Sequence, residues 1–183
     1  MKGFTLIELL VVVAVIAVLA TIVILTLNPA ELIRQARDSK RVSDLNVLHN
    51  ALGIYLADVT SIDLGVSGRC YQSIAVATTG CTVFFPTAGS TVSTSSRKID
   101  STGWVPVNFN LIGSGAPIGA LPVDPINSDT YFYAYISSST AKTFKLATRI
   151  ESNKFGNGGS GDLSSKDGGS SSLYYETGTD LGM

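Results

Sequence analysis

Between Phe4 and Leu27 the chain carries one ionisable side chain, Glu8, within an otherwise unbroken apolar run, FTLIELLVVVAVIAVLATIVILTL. A helix rising ~1.5 Å per residue would carry that run across a hydrocarbon core of about 30 Å. The 183 residues leave room for one modest domain besides it. A carboxylate costs roughly 2.5–3.5 kcal/mol at the centre of a membrane helix on insertion scales, and less toward its end. Glu8 therefore needs a compensating partner.

The run does not belong to an ordinary cleaved secretory signal. Such signals end their apolar region in small residues of the A-x-A kind, and nothing after Leu27 has that form. The small residue here is Gly3, which precedes the run with Lys2 beside it. Cleavage at that point would leave the hydrophobic helix on the mature protein.

Lys2-Gly3-Phe4-Thr5-Leu6-Ile7-Glu8 followed by an apolar helix resembles the class III signal of type IV pilins and type II secretion pseudopilins. The resemblance implies cleavage between Gly3 and Phe4 by a prepilin peptidase, with Phe4 as the N-methylated new terminus. It also implies a structural subunit that polymerises through its N-terminal helix into a helical filament of its own copies. The implied partners are the peptidase, an inner-membrane assembly platform and, before assembly, the lipid bilayer. In a packed bundle Glu8 of one subunit can pair with the α-amine of a neighbour, so that two costly charges offset each other and set the register.

Orientation receives two opposing readings. Lys2 stands before the span, whereas Arg34, Arg37, Lys40 and Arg41 follow it. The positive-inside count alone places the C-terminal domain in the cytoplasm. The resemblance implies the reverse: a single-pass cytoplasmic-membrane protein whose head lies outside the cytoplasm and later joins an extracytoplasmic filament.

Asn28-Pro29 predicts a kink or break, because proline lacks a backbone donor and clashes with the preceding turn. A second helix is expected to about Asp58, with Leu45, Leu48, Leu52, Tyr55 and Leu56 forming the stripe packed on the head. Charges between Glu31 and Asp44, including Arg34–Asp38 and Arg37–Arg41 at i, i+4, read as a solvated face or as intersubunit ion pairs. His49 reads as a surface or interface histidine.

The expected fold is α+β, a long N-terminal helix packed against a small antiparallel sheet with long loops. Its divisions are a leader at 1–3, a transmembrane and assembly helix at 4–28, an amphipathic half at 29–58 and a head at 59–183. Within the head, 59–122 reads as loop with a short β piece near Cys81–Phe85, about 123–152 as the sheet, and 153–183 as a Gly/Ser-rich loop. Trp104 reads as a core anchor. Tyr131–Ile136 and Thr143–Ile150 read as a hairpin, with Phe144, Leu146, Thr148 and Ile150 inward and Lys145, Ala147 and Arg149 outward. Leu121-Pro122-Val123-Asp124-Pro125 followed by these strands is similar to the C-terminal part of major pseudopilins.

Cys70 and Cys81, with ten residues between them, suit one local disulfide in an oxidising compartment or two small buried thiols in a reducing one. Asp162, Asp167, Glu176 and Asp180 are oxygen ligands of the kind Ca²⁺ prefers, and the pseudopilin resemblance implies calcium in a C-terminal loop. The other reading of that stretch is a flexible solvated loop with no cofactor required.

A net charge of −1 without a basic block argues against nucleic acid. One histidine, no nucleophile elbow, no P-loop and no metal-ligand cluster leave no catalytic constellation to assemble, so no enzyme is expected. The competing function is a monomeric membrane-anchored extracytoplasmic module whose head binds DNA or a surface glycan. Surface pilus and secretion pseudopilus, and major and minor subunit, are not separated by these residues.

Overall fold

Thr5 opens the first helix, α1 (Leu6–Leu27), by accepting a hydrogen bond from Glu8 N through its side chain. At 22 residues α1 extends about 33 Å. The computed structural model describes residues 3–75 and 80–183, with side chains omitted for 25–27. Lys2 therefore lies outside the described residues.

The expected break falls at Asn28. Its backbone adopts a left-handed conformation (φ 42°), ending α1 and at the same time capping α2 (Pro29–Asp58) through a bond from Glu31 N. Pro29 suits the first position of α2, where no intrahelical N–H is required. Leu45, Leu48, Ala51, Leu52 and Tyr55 then recur every three or four residues and are buried against the head, while Leu56 is partly buried.

The head is built on a five-stranded sheet in the order β2-β1-β3-β4-β5. The strands are β1 (Arg69–Gln72), β2 (Ser90–Ser93), β3 (Tyr133–Ser138), β4 (Thr143–Arg149) and β5 (Tyr174–Gly178). The expected hairpin is β3–β4, with Tyr135 opposite Leu146. The sheet is not wholly antiparallel, because β1 and β2 run parallel. A parallel neighbour needs a crossover rather than a tight turn, and the connection between them supplies one. Nor is the sheet confined to 123–152: β1 and β2 fall within the segment read as loop, and β5 within the Gly/Ser-rich tail. The β piece expected near Cys81 is instead a 3₁₀ turn, Cys81–Val83.

One face of the sheet packs on α2. Tyr71, Tyr133, Tyr135, Phe144 and Leu146 meet Leu45, Leu48, Leu52 and Tyr55 there, with Trp104 and Phe109 closing the sides. Trp104 is fully buried and donates Nε1–H to the Pro122 carbonyl at 2.8 Å, as befits a core anchor.

The other face corrects the half-buried reading of β4. Lys145 and Ala147, expected in water, are completely buried. Phe84, Phe85, Phe132 and Tyr174 pack over Cys70, Ala134, Ile136 and Ala147 as a second apolar cluster. Alternation in a strand reports two different faces, and it implies solvent on one of them only where nothing else covers it.

Candidate functional site

Gly3 and Phe4 precede the helix in open surroundings. A Cβ at Gly3 would meet no atom within 4 Å, and Phe4 is 85 % exposed. Every described side chain of α1 is exposed as well, so the chain by itself offers this apolar helix no protein cover.

Glu8 is satisfied inside its own first turn. Its Oε2 accepts from Thr5 N at 2.8 Å and from Thr5 Oγ1 at 2.8 Å, while Glu8 N donates to Thr5 Oγ1 at 3.2 Å. This is a capping box, which pairs otherwise orphaned N-terminal donors. The carboxylate also sits at the positive end of the helix dipole. The signal was present in the sequence as Thr5-x-x-Glu8, a pattern that the reading of Glu8 as a partner for another chain passed over.

The first 24 residues match the family model of the prokaryotic N-terminal methylation motif. The chain carries a class III prepilin signal. Comparison with curated proteins and with solved structures returned no match. The prepilin signal therefore rests on residues 1–24.

The second notable constellation joins α2 to the head. Arg41, fully buried, donates Nε to Asp124 Oδ2 at 2.6 Å and Nη2 to Asp124 Oδ1 at 3.1 Å. Its Nη1 reaches Asp38 Oδ1 at 2.7 Å and Glu151 Oε2 at 3.2 Å. Asp38 accepts from the main-chain N–H groups of Glu151 and Ser152, and Arg37 forms a two-pronged pair with Glu151. Burial alone would lower the Arg41 pKa, but the bonds and charge of Asp124 and Asp38 raise it above the usual value. The Arg37 hydrogen bond holds the Glu151 carboxyl below its ordinary range against the effect of burial, with Arg41 assisting.

Asp38, Arg41 and Asp44 are therefore engaged inside the chain, whereas Arg34 and Lys40 stay exposed on the solvated face expected for Glu31–Asp44. Asp38 pairs with Arg41 at i, i+3 rather than with Arg34, which lies 3.7 Å from Glu31 and 3.9 Å from Glu151. Lys40 pairs with Asp44, whose second oxygen accepts from Tyr133 OH at 2.9 Å. No local spacing announces Asp124 or Glu151 as partners, since they lie 83 and 110 residues from Arg41.

Cys70 and Cys81 form a disulfide with Cα atoms 6.1 Å apart. His49 packs edge-on to Phe144 and places Nδ1 2.9 Å from Thr177 Oγ1.

The four candidate calcium ligands are not brought together. Asp162 serves its own loop, accepting from Gly158 N and from Ser165 N and Oγ, contacts that hold its carboxyl well below the usual range. Asp167 accepts from Gly169 N and Glu176 N, and its pKa is raised by burial. Glu176 pairs with Lys145, and Asp180 accepts from Gly182 N. Among the described residues no three His, Cys, Asp or Glu side chains converge as a metal group.

Proposed function

We propose that this chain is the precursor of a structural subunit that is cleaved between Gly3 and Phe4 and polymerises through α1 into a type IV pilus or type II secretion-like pseudopilus. On this reading 1–3 is the leader, 4–28 the span and assembly helix, 29–58 the stalk, and 59–183 the exported head. Prepilin peptidase exposes and methylates the Phe4 amine, and an inner-membrane platform lifts the subunit from the bilayer.

The observation that carries this reading is an apolar helix whose described side chains are all exposed, with one carboxylate, Glu8, a turn beyond the processing site. Lipid covers such a helix before assembly and neighbouring copies of the same helix cover it afterwards. In the filament Glu8 exchanges its Thr5 contacts for the Phe4 amine of another copy. The disulfide suits an oxidising, extracytoplasmic head. The cations after the span are engaged by Glu31, Asp38, Asp44, Asp124 and Glu151, so they do not form a free basic flank on the folded protein.

The test is expression with the cognate peptidase and assembly system. Native chain should lose the leader, gain a methyl group on Phe4 and yield sheared filaments, while Glu8→Ala should be processed and inserted yet give none. Normal filaments from Glu8→Ala would sink the pairing role. An unprocessed native chain that stays monomeric and saturably binds DNA or a glycan would establish the tethered binding module instead.

A further inference from the structure

Lys145 in β4 and Glu176 in β5 lie on the sheet face away from α2, and neither side chain reaches solvent. In the register Ala147 stands opposite Glu176 and Lys145 opposite Gly178, so the two charged side chains are diagonal neighbours on that face. Lys145 Nζ is 2.7 Å from Glu176 Oε1. The Phe85 ring, its centroid 5.7 Å from Nζ, forms an apolar wall beside them.

The groups around this pair do more than neutralise it. Ser170 Oγ accepts from Nζ at 2.9 Å and itself lies 3.5 Å from Glu176 Oε1, so one hydroxyl touches both the nitrogen and the nearer carboxylate oxygen. Ser171 N donates to the other oxygen, Oε2, at 2.9 Å. Gly169 lets the main chain approach this closely, because a Cβ there would collide with the Glu176 carboxylate. A nitrogen nucleophile, a hydroxyl relay and a main-chain donor thus meet at one carboxyl group.

We propose that Lys145 and Glu176 condense into an amide that joins β4 to β5 covalently. In water the ionised pair is favoured; burial strips away the hydration that favours it and brings the neutral amine and acid within reach. One Nζ proton passes to Oε1, which frees the amine lone pair to attack Cδ. As the Nζ–Cδ bond forms, the carbonyl electron pair moves onto Oε2, where the Ser171 N–H meets the charge. A second Nζ proton then travels through Ser170 Oγ to Oε1, the Cδ–Oε1 bond breaks and water departs. Two of the three ammonium protons leave in the water. The third stays on the nitrogen, which has the Leu181 main-chain oxygen 2.9 Å away as its acceptor. The strand ladder already pairs β4 with β5, and the amide makes that junction one that unfolding cannot open.

The full chain, synthesised cell-free into detergent micelles and sampled over time, tests this by mass spectrometry after reduction, unfolding and trypsin digestion. Thr143–Arg149 and Asp167–Met183 should appear as one branched species, uncut after Lys145 and lighter by one water than the two peptides together. Glu176→Ala and Lys145→Met should yield linear peptides only. Ser170→Ala should form the branched species at least about tenfold more slowly, and a native rate in that variant overturns the relay. A native chain whose Trp104 emission is that of a buried indole, yet which releases Thr143–Lys145 and a linear Asp167–Met183, overturns the amide. The native chain alone decides for or against the bond, whatever the folding of the variants.

Discussion

Arg41 and Asp124 are joined by two hydrogen bonds, of 2.6 and 3.1 Å, across the contact between α2 and the head, and neither side chain is exposed to solvent. Asp124 also accepts from Ile126 N at 2.8 Å and Asn127 N at 3.3 Å, so its carboxylate shapes its own turn while gripping the helix. The Arg41 guanidinium lies over the Tyr131 ring, 4.7 Å from its centroid. One cation thus fixes the register of the helix against the strand that follows.

Removing that cation should be more damaging than removing most apolar contacts. Arg41→Met leaves Asp38 and Asp124 buried without their counter-charge, at a cost of roughly 3–5 kcal/mol. Adding Asp124→Asn to it should cost less than the sum of the single changes, because the two residues share one interaction. Denaturation of the four proteins in micelles measures the coupling, and strict additivity would contradict the clamp.

Acid should loosen the same junction. The folded pKa of Glu151 lies below the ordinary 4.5, chiefly through the Arg37 hydrogen bond. The folded chain therefore holds fewer protons on this group than the unfolded chain does. Its contribution is present above about pH 4.5 and lost as pH falls through the lowered folded value. Melting temperature against pH should show this acid limb, and Glu151→Gln should flatten it.

The alkaline side involves Tyr133. Burial, with the nearby Asp44 charge and hydrogen bond adding to it, raises its pKa above the ordinary 10.0. The phenol stays protonated in the folded chain after its unfolded counterpart has begun to ionise. Stability is full below about pH 10 and declines as pH rises beyond it. Phenolate absorbance should show Tyr133 titrating only with unfolding, and Tyr133→Phe should remove that share of the alkaline loss.

The disulfide holds the apolar lid on the outer sheet face. Replacing both Cys70 and Cys81 by serine should lower stability by about 3 kcal/mol on the loop-entropy scale. Phe84, Phe85 and Tyr174 should become more accessible, since the lid that carries Phe84 and Phe85 is tied to β1 through Cys81. Dye binding and limited proteolysis read this directly; unchanged protection would place the lid's stability in its apolar contacts.

Trp104 is the single tryptophan, so its own emission reports on the prediction for it. Trp104→Phe keeps an aromatic body but strands the Pro122 carbonyl, costing about 1–3 kcal/mol. Native emission should be that of a buried indole and shift red in a single step with unfolding. A solvent-exposed spectrum in the folded chain would contradict the packing.

Much of this protein is written locally. Thr5-x-x-Glu8, the apolar run, Asn28-Pro29, the Leu45–Tyr55 stripe and the β3–β4 hairpin each depend on neighbours within a few residues, and each appears where the sequence places it. The parallel β1–β2 pair, the β5 edge and the partners of Arg41 depend on segments distant in the chain. No periodicity encodes such encounters. The same limit explains Lys145: alternation sets its face, but the segments that bury that face come from elsewhere in the chain.

The sequence by itself determined the signal, the exposed helix and its break, because backbone hydrogen bonding and apolar length act without reference to the rest of the chain. Only the tertiary structure decided that both sheet faces are covered and that Asp38, Arg41 and Asp44 turn inward. It alone buried Lys145 against Glu176. Burial and ion pairing are properties of what surrounds a side chain, and those surroundings exist only after distant segments have met.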